Sequence, residues 1–469
     1  MCSPKGEYPS TDPFPHGCGC INDTTVEVDH MRDYPTIRVL QIFPTSQAAP
    51  LLEATNSGWR SAPNLGSSPP SAGGANFSAV CWLMGRDLQR AVQPPRPIGL
   101  VEASLGGTPI EAWSSPEALA ACSRSEYGEP RSEYGEPRSE YGEPGATAVA
   151  EEHQNAFATG INNTSPTSEQ VQGGSSSSSG LWNGLIEPLL TSTLKGVVWY
   201  QGEANTGTDG MVRRYQCQMK ALVEDWRAKW SNRTNGASDP TFPFGWVQLN
   251  SNGGATTPGA VPAPVAPGKG DPLGAWNKGF AGLRWSQTNT LAAVEKTFQA
   301  VVLDTPAING FVHSPFKQPV GARLARQALD VAYQMPQPSP RVTGAGYTAA
   351  EAGAEGDPGK STVVVTLAGL GFPAGAIQVR QSWGFELLSS LGVWHGAAIQ
   401  KAEGATLVLD ASNATAGGKP PSALRYLWYT APCTMHPYQC PVYVEVPPVV
   451  GRESGEMEYL PLAPHIMYI

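Results

Sequence analysis

A short apolar run that ends in a polar cluster constrains the fold of this chain more than any other feature. Residues 197–200 read Val-Val-Trp-Tyr, and the polar segment 201–205, Gln-Gly-Glu-Ala-Asn, follows directly. Such a run is typical of a strand buried on both faces of a parallel sheet, and open α/β sheets collect ligands at the carboxyl ends of their strands. The pattern therefore predicts a functional site at 201–205, where amides could donate hydrogen bonds to a developing oxyanion. A polar strand exit whose side chains bond only to one another fits the same residues.

The alternation of strands and helices recurs along the chain. Residues 35–43 and 97–103 have strand patterns, and 78–92 between them place apolar residues at helical spacing. Further strands are predicted at 241–249 and 297–304. The helix before them is predicted to bury one face, formed by Val212, Tyr215, Met219, Leu222, Trp226 and Trp230. Strand, helix and strand in this order indicate parallel βαβ units.

Composition divides the chain into three predicted parts. Residues 1–33 are rich in Pro, Gly and Cys without periodicity, which predicts an irregular segment. Residues 34–335 carry the α/β pattern, interrupted at 124–180 by a low-complexity insertion with three copies of Arg-Ser-Glu-Tyr-Gly-Glu-Pro. Residues 336–469 show short strands. We therefore predict an α/β fold with a parallel sheet flanked by helices, followed by a small all-β domain and a tail.

Charge and hydropathy exclude several classes of partner. The net charge of -9 offers no basic face to offset phosphate repulsion, so nucleic acid is not an expected partner. No apolar run approaches the roughly 18 residues needed for a membrane span. The eight cysteines include no Cys-x-x-Cys pair with histidines at zinc spacing, so we expect no structural metal.

Glycosylation acceptors and cysteines indicate an oxidising compartment. Asn-x-Ser/Thr acceptors occur at Asn22, Asn76, Asn162, Asn163, Asn232 and Asn413. Cys433 and Cys440 are close enough along the chain to close a small disulfide loop. Residues 1–7 lack the apolar stretch of a signal peptide. We therefore expect a secreted or lysosomal glycoprotein whose targeting segment is missing from this sequence.

His313 is the candidate general base. Of seven histidines, it alone follows a predicted parallel strand by a short loop, which is the usual place for such a residue. Asp304, at the end of the same strand, would orient and electrostatically support it. A lone histidine is more often structural, and the separation of the two residues in sequence leaves their pairing open.

Several stretches in a fixed order resemble a known family. They are residues 78–86, 97–113 with the core Gly-Gly-Thr-Pro-Ile-Glu-Ala-Trp, 181–183, 195–205 and 313–318. The ordered set closely resembles the sialate O-acetylesterases, a branch of the SGNH (GDSL-like) carbohydrate esterases, and the likeness extends over residues 34–445.

The resemblance implies an SGNH-hydrolase-like core and hydrolysis of O-acetyl esters by a serine-esterase mechanism, with an O-acetylated sugar or glycan, above all O-acetylated sialic acid, as substrate. It implies neither a metal nor an organic cofactor. His313 would be the general base and then the general acid. Gly106 or Gly107 would donate a backbone N–H to the oxyanion, and Gln201 a side-chain N–H.

The resemblance also implies residues that shape the pocket. Glu203 and Asn205 would line it, and Glu111 and Trp113 would lie near the sugar or the acetyl group. The segments that contain Cys433 and Cys440 fit the family as well, in keeping with a disulfide between them.

The sequence departs from the family at the nucleophile. The family's serine lies in a Gly-Gln-Ser-Asn motif, expected upstream of about residue 20, and the 469 residues do not contain it. Ser3 is nearest in register but has no strand before it, and Asn309 and Gly310 stand where the family has its aspartate. Three further serines lie near the predicted site without a sign of activation, namely Ser104, Ser114 and Ser115.

Two hypotheses remain open for this departure. The chain is an incomplete gene product that lost its targeting segment, first core strand and nucleophile, or it is a non-catalytic relative that binds glycans in a retained cleft. The acceptor sites and the cysteine pair beside a missing targeting signal favour truncation.

Overall fold

The computed structural model describes residues 21, 24–67, 77–122, 178–251, 273–307, 312–350, 360–371, 376–415, 418–433, 437–448 and 457–469. The predicted insertion therefore lies outside the described residues except for 178–180. Within the described part, no helix is both long and apolar enough to cross a bilayer.

Parallel strand pairs occur between residues 37 and 300, as predicted. The strands are β1 (Ile37–Gln41), β2 (Arg60–Ser61), β3 (Ile98–Glu102), β4 (Val197–Trp199), β5 (Phe244–Val247) and β6 (Thr297–Ala300). β1 pairs in parallel with β3 and antiparallel with β2, while β4, β5 and β6 form a separate parallel sheet in that order. The chain is therefore a mixed α/β protein with parallel strands.

Eight α-helices are described with these strands. They are α1 (Thr24–His30), α2 (Ala62–Ser67), α3 (Ala79–Ala91), α4 (Ile110–Trp113), α5 (Pro116–Ala120), α6 (Asp209–Arg233), α7 (Phe280–Ala293) and α8 (Gln318–Tyr333). Side-chain caps set three of the starts, because the hydroxyls of Ser78, Ser115 and Thr208 accept the backbone N–H of Cys81, Ala118 and Met211. Shorter turns occur at Met31–Asp33, Trp182–Ile186, Glu187–Leu189, Glu203–Asn205 and Ser412–Ala414.

Helix α6 buries the predicted face. All six apolar residues assigned to that face are at most 4% exposed, and Trp226 packs edge-to-face on Phe244 of β5. Helices α3 and α8 also approach closely, since a Cβ at Gly321 would lie 2.4 Å from the Cβ of Leu83. Only glycine allows that approach without movement of a neighbour.

Residues 24–33 correct the prediction of an irregular amino-terminal segment. They form α1 and a 3₁₀ turn whose Met31 is 1% exposed. The buried carboxylate of Glu27 accepts a hydrogen bond from Arg86 of α3, whose Nε lies 2.9 Å from Asp87. This long-range ion pair and the burial of Met31 fix a helix where the sequence shows no periodicity.

Every strand pair described after residue 340 is antiparallel. The strands are β7 (Arg341–Thr348), β8 (Thr362–Ala368), β9 (Ile377–Val379), β10 (Phe385–Leu388), β11 (Trp394–Ala397), β12 (Ile399–Glu403), β13 (Thr406–Asp410), β14 (Ala423–Tyr426), β15 (Val442–Val446), β16 (Glu458–Pro461) and β17 (His465–Tyr468). They form three sheets in the orders β11-β10-β14-β17, β12-β13-β8-β7 and β16-β15-β9.

Among the cysteines that the structure describes, two pairs lie at disulfide-bonding distance. One is the predicted pair, Cys433 with Cys440. The other joins Cys122, just after α5, to Cys217 in α6, across 95 residues of sequence. The second pair therefore links the end of α5 to helix α6.

Candidate active site

The polar segment after β4 turns sharply at Gly202. The φ angle of this glycine is +145°, and a Cβ at that position would lie 2.6 Å from a methyl carbon of Leu283 and 3.1 Å from Leu249. Both the backbone conformation and the space therefore demand glycine. Directly after Gly202, residues Glu203–Asn205 form one turn of 3₁₀ helix.

Gln201 joins the exits of β3 and β4. Its Nε2 donates to the carbonyl of Thr108 at 3.1 Å and to Oδ1 of Asn205 at 2.8 Å. Its Oε1 accepts from the hydroxyl of Tyr215 at 2.8 Å. Both amide hydrogens thus have acceptors within the protein, and the residue is 9% exposed. The role of oxyanion donor stays a prediction that requires release of one of these bonds.

Asn205 and Glu111 extend the same network to helix α6. Fully buried Asn205 accepts the backbone N–H of Ile110 at 3.0 Å and donates to Glu111 Oε2 at 2.9 Å. The other oxygen of Glu111 accepts from Gln218 Nε2 at 2.8 Å. The structure therefore brings together three residues predicted from two distant stretches, 97–113 and 201–205, and each satisfies polar groups of the next.

Trp113 lies in the core beneath this network. It is 4% exposed, its Nε1 donates to Thr108 Oγ1 at 2.9 Å, and its ring packs edge-to-face on Trp199 with centroids 5.9 Å apart. The described contacts of Trp113 are thus with the chain itself. Its predicted contact with a sugar or acetyl group stays a prediction.

Gly106 and Gly107 form an exposed turn beside the network. Gly107 has φ +74°, which favours glycine, and a Cβ at either position would meet nothing within 4 Å. The hydroxyl of Thr108 donates to the carbonyl of Leu105 at 2.8 Å and closes the turn. Open space therefore lies on the Cβ side of both glycines, and their predicted role as oxyanion donors stays a prediction.

The loop that carries His313 is attached to the exit of β4. His313 itself is exposed, and the preceding Val312 packs on the apolar cluster that contains Trp199. Four residues further on, the ammonium of Lys317 lies 5.0 Å from the ring centroid of Tyr200 and 3.5 Å from its hydroxyl. This cation–π contact ties the His313 loop to the residue before Gln201.

Two ionisable side chains near this contact, Lys317 and Glu203, have shifted pKa values. Burial lowers the pKa of Lys317 to about 8, against the opposing effect of the Glu203 carboxylate. Burial also raises the pKa of Glu203, which Lys317 partly offsets. The opposite charges of Lys317 and Glu203 offset part of the cost of burying each other, which favours keeping the two loops close together.

Asp304 contacts different partners. Its carboxylate is fully buried and accepts two hydrogen bonds from Arg323, at 2.5 and 2.8 Å, and one from the hydroxyl of Tyr443 at 3.2 Å. These bonds join the exit of β6 to α8 and β15. The two oxygens of the carboxylate both accept hydrogen bonds from Arg323. The pairing of Asp304 with His313 stays a prediction.

Sequence reasoning missed the residues that complete the network. Thr108, Tyr215, Gln218 and Gln287 all bond to it, the last through a 3.2 Å contact with the carbonyl of Gln201. A signal was present for one of them, because Gln218 is a polar residue on the apolar face of α6. The others bond through contacts that only the tertiary fold creates.

Comparison with known proteins finds similarity to one family of esterases. Residues 179–257 match the family model described as carbohydrate esterase, sialic acid-specific acetylesterase. The chain is 32% identical over 325 residues to the sialate O-acetylesterases of Homo sapiens and Pongo abelii, and 32% identical over 329 residues to that of Mus musculus. These alignments cover 67% of this chain and 50% to 53% of the relatives. The chain thus spans about half the length of the curated relatives it matches.

A solved structure supports the same fold. The crystal structure of a carbohydrate acetylesterase from Xanthomonas citri superposes with a TM-score of 0.63, at 23% identity, over 95% of this chain and 76% of that one. The fold of this chain is therefore similar to that of the Xanthomonas citri protein. The resemblance to the sialate O-acetylesterases, first drawn from the ordered motifs, is confirmed.

Proposed function

We propose that the protein is a carboxylic ester hydrolase that removes O-acetyl groups from carbohydrates, with O-acetylated sialic acids as the substrate class. The observation that supports this proposal is a hydrogen-bond network between the segments that follow β3 and β4. In it, Gln201 donates to the carbonyl of Thr108, and Asn205 accepts the backbone N–H of Ile110. Ligand sites of open α/β sheets form at such strand exits. The matched family and the named relatives supply the ester chemistry.

The fold proposed for this activity is an SGNH-hydrolase-like core at residues 34–335 and a small β domain at 336–469. The parallel pairing of β1 with β3 and of β4 with β5 and β6 supports the core. The antiparallel sheets after Arg341 support the β domain. The two cysteine pairs are consistent with a secretory or lysosomal compartment.

Each proposed role uses a group at the strand exits. His313 exchanges protons with the reacting hydroxyl groups, and the backbone N–H of Gly106 or Gly107 stabilises the oxyanion. Gln201 contributes a further donor when substrate displaces one of its two acceptors. A single donor of this kind is typically worth about 3–4 kcal/mol of barrier. Glu203 and Asn205 shape the pocket, and Glu111 holds Asn205 in place.

The test is acetate release from O-acetylated sialic acid by the purified 469-residue chain. His313→Asn should slow release by roughly 10²–10⁴-fold, the usual contribution of a general acid–base group. His395→Asn, on strand β11 of the carboxyl-terminal part, is the matched control and should leave release unchanged. Equal rates for the two variants would remove His313 from the mechanism.

A second candidate, glycan binding without chemistry, is favoured by the absence of the Gly-Gln-Ser-Asn motif from the sequence. Calorimetry with the same acetylated sugar separates the two. Saturable binding without acetate release would support the binding function, whereas turnover would exclude it.

A further inference from the structure

Helix α7 carries a buried arginine whose partners come from both halves of the chain. Arg284 is fully buried. Its Nε and Nη2 donate to the carbonyls of Leu249 and Asn250, each at 2.7 Å, in the segment that follows β5. Its Nη1 and Nη2 donate to the carbonyls of Tyr429 and Thr430, at 2.7 and 2.9 Å, in the segment that follows β14. One side chain therefore joins the exit of β5 to the proposed β domain.

The four acceptors require the guanidinium of an arginine. A guanidinium presents five N–H donors in a rigid plane, whereas the three donors of a lysine ammonium lie around one atom. Burial lowers the pKa of Arg284 to about 9, so the side chain is still a cation at neutral pH. The carbonyl oxygens bond a buried charge that would otherwise be costly. Both segments are therefore held in a fixed position relative to α7.

Gln287, one turn further along α7, binds the same segment. Its Oε1 accepts the backbone N–H of Leu249 at 2.9 Å, so both backbone polar groups of Leu249 are bonded to α7. Its Nε2 donates to the carbonyl of Gln201 at 3.2 Å. Helix α7 thus fixes the segments that follow β4 and β5, two neighbouring parallel strands.

The segment that follows β5 in turn holds the segment that follows β6. Asn250 Nδ2 donates to the carbonyl of Thr305 at 2.6 Å. Ser251 Oγ donates to the carbonyl of Leu303 at 3.2 Å. All four residues are buried. The exits of β5 and β6 are therefore linked by side-chain hydrogen bonds to the backbone.

The exit of β6 is also attached to the loop that carries His313. The hydroxyl of Ser314, the next residue, donates to the carbonyl of Pro306 at 3.3 Å. Hydrogen bonds and short stretches of backbone therefore lead from Arg284 through two strand exits to His313.

We propose that Arg284 is a positioning residue, through which the β domain fixes the exits of β5 and β6 and with them the loop of His313. The inference rests on the proposed acetylesterase function, in which His313 exchanges protons with the reacting groups. Arg284 acts through these segments and not on the substrate. Its loss would leave the general base on a less constrained segment, and a misplacement of about 1 Å can cost roughly 10²-fold in rate.

A second buried arginine provides the matched control. Arg227 of α6 is buried as well. It donates to the carbonyls of Phe242, Glu295 and Lys296, at 2.7 to 3.2 Å. These carbonyls precede β5 and β6, so Arg227 ties the amino ends of the same two strands. The two arginines share burial and type of acceptor, and they differ in the end of the sheet that they hold.

The experiment compares Arg284→Lys with Arg227→Lys in the whole chain. Each should lower the midpoint of urea unfolding, because each leaves buried carbonyls without a donor. With O-acetylated sialic acid, kcat of Arg284→Lys should fall by roughly 10²-fold while KM stays as in the wild type. Arg227→Lys should keep the wild-type kcat and KM per folded molecule. Equal losses of kcat in the two variants would overturn the positioning role.

Hydrogen–deuterium exchange, read by mass spectrometry of peptides, tests the inference without turnover. Amides at 247–251 and 312–317 should exchange roughly tenfold faster in Arg284→Lys and at the wild-type rate in Arg227→Lys. Unchanged exchange in these segments would overturn the proposal, as would an equal rise throughout the chain. Absence of acetate release from the wild-type chain would refute the function on which the inference rests, and exchange would then decide the positioning role by itself.

A second variant keeps the test decisive where Arg284→Lys does not fold. Asn250→Ala removes the donor to Thr305 and leaves Arg284 with its four carbonyl acceptors. We expect a fall in kcat and faster exchange at 312–317, with exchange at 429–430 unchanged. Wild-type kcat together with wild-type exchange in Asn250→Ala would overturn the proposal.

Discussion

Replacing Asp304 with asparagine decides between a catalytic and a structural role for this carboxylate. In the structure, Asp304 accepts two bonds from Arg323 and one from Tyr443, and it is fully buried. Asparagine keeps the volume but removes the charge and one of the acceptors, so Arg323 is left as a buried cation without an anion. Breaking a buried ion pair in this way typically costs about 3–5 kcal/mol.

The remaining contacts of Arg323 place the expected loss near the lower end of that range. Its Nη1 also donates to the carbonyl of Val301 at 2.9 Å, and the side-chain carbonyl of the introduced asparagine would still accept one bond. We therefore expect Asp304→Asn to lower the free energy of unfolding by about 3 kcal/mol. Urea unfolding followed by tryptophan fluorescence measures this through the midpoint and slope.

A surface carboxylate provides the control for this prediction. Asp410→Asn, whose side chain is 26% exposed and lies 3.9 Å from Lys360, should cost less than about 1 kcal/mol. A loss below about 1 kcal/mol for Asp304→Asn, together with a fall in acetate release of roughly 10²-fold or more, would refute the structural reasoning. It would instead support the pairing of Asp304 with His313 that the sequence predicts.

Two further predictions concern the disulfides and pH. Replacing both Cys122 and Cys217 with serine opens a loop of 95 residues, so by the chain-entropy model the free energy of unfolding should fall by about 4–5 kcal/mol. Replacing both Cys433 and Cys440, which are 7 residues apart, should lower it by about 2–3 kcal/mol, and equal shifts in urea midpoint would contradict this order. Burial lowers the pKa of His465 to about 4, so between that value and the ordinary 6.5 the unfolded chain binds more protons and stability falls as pH falls. His465→Phe should flatten urea midpoints measured from about pH 6.5 to 4, and an unchanged slope would assign the effect elsewhere.

Local patterns in the sequence were sufficient for the elements that position the site. The spacing from Val212 to Trp230 predicts the buried face of α6, because helical periodicity is a property of neighbouring residues. The polar segment at 201–205 likewise follows from the end of one apolar run. The pairing of Cys433 with Cys440 could be predicted because few residues separate them along the chain.

What the sequence could not supply depends on contacts between distant segments. Helix α1 is held by the pairing of Glu27 with Arg86, and nothing near Glu27 in sequence shows it. The partner of Cys122 lies 95 residues away, so spacing could not select it. The sequence associates Asp304 with His313 because both follow one strand, whereas its carboxylate partners come from α8 and β15.

The most direct measurement of the proposed function is acetate release from an O-acetylated sialic acid, followed by proton NMR with the purified wild-type chain. We expect saturable release that is proportional to protein concentration and slower by roughly 10²–10⁴-fold in the His313→Asn variant. Release no faster than in buffer alone, with the folded protein present throughout, would contradict the proposed acetylesterase function.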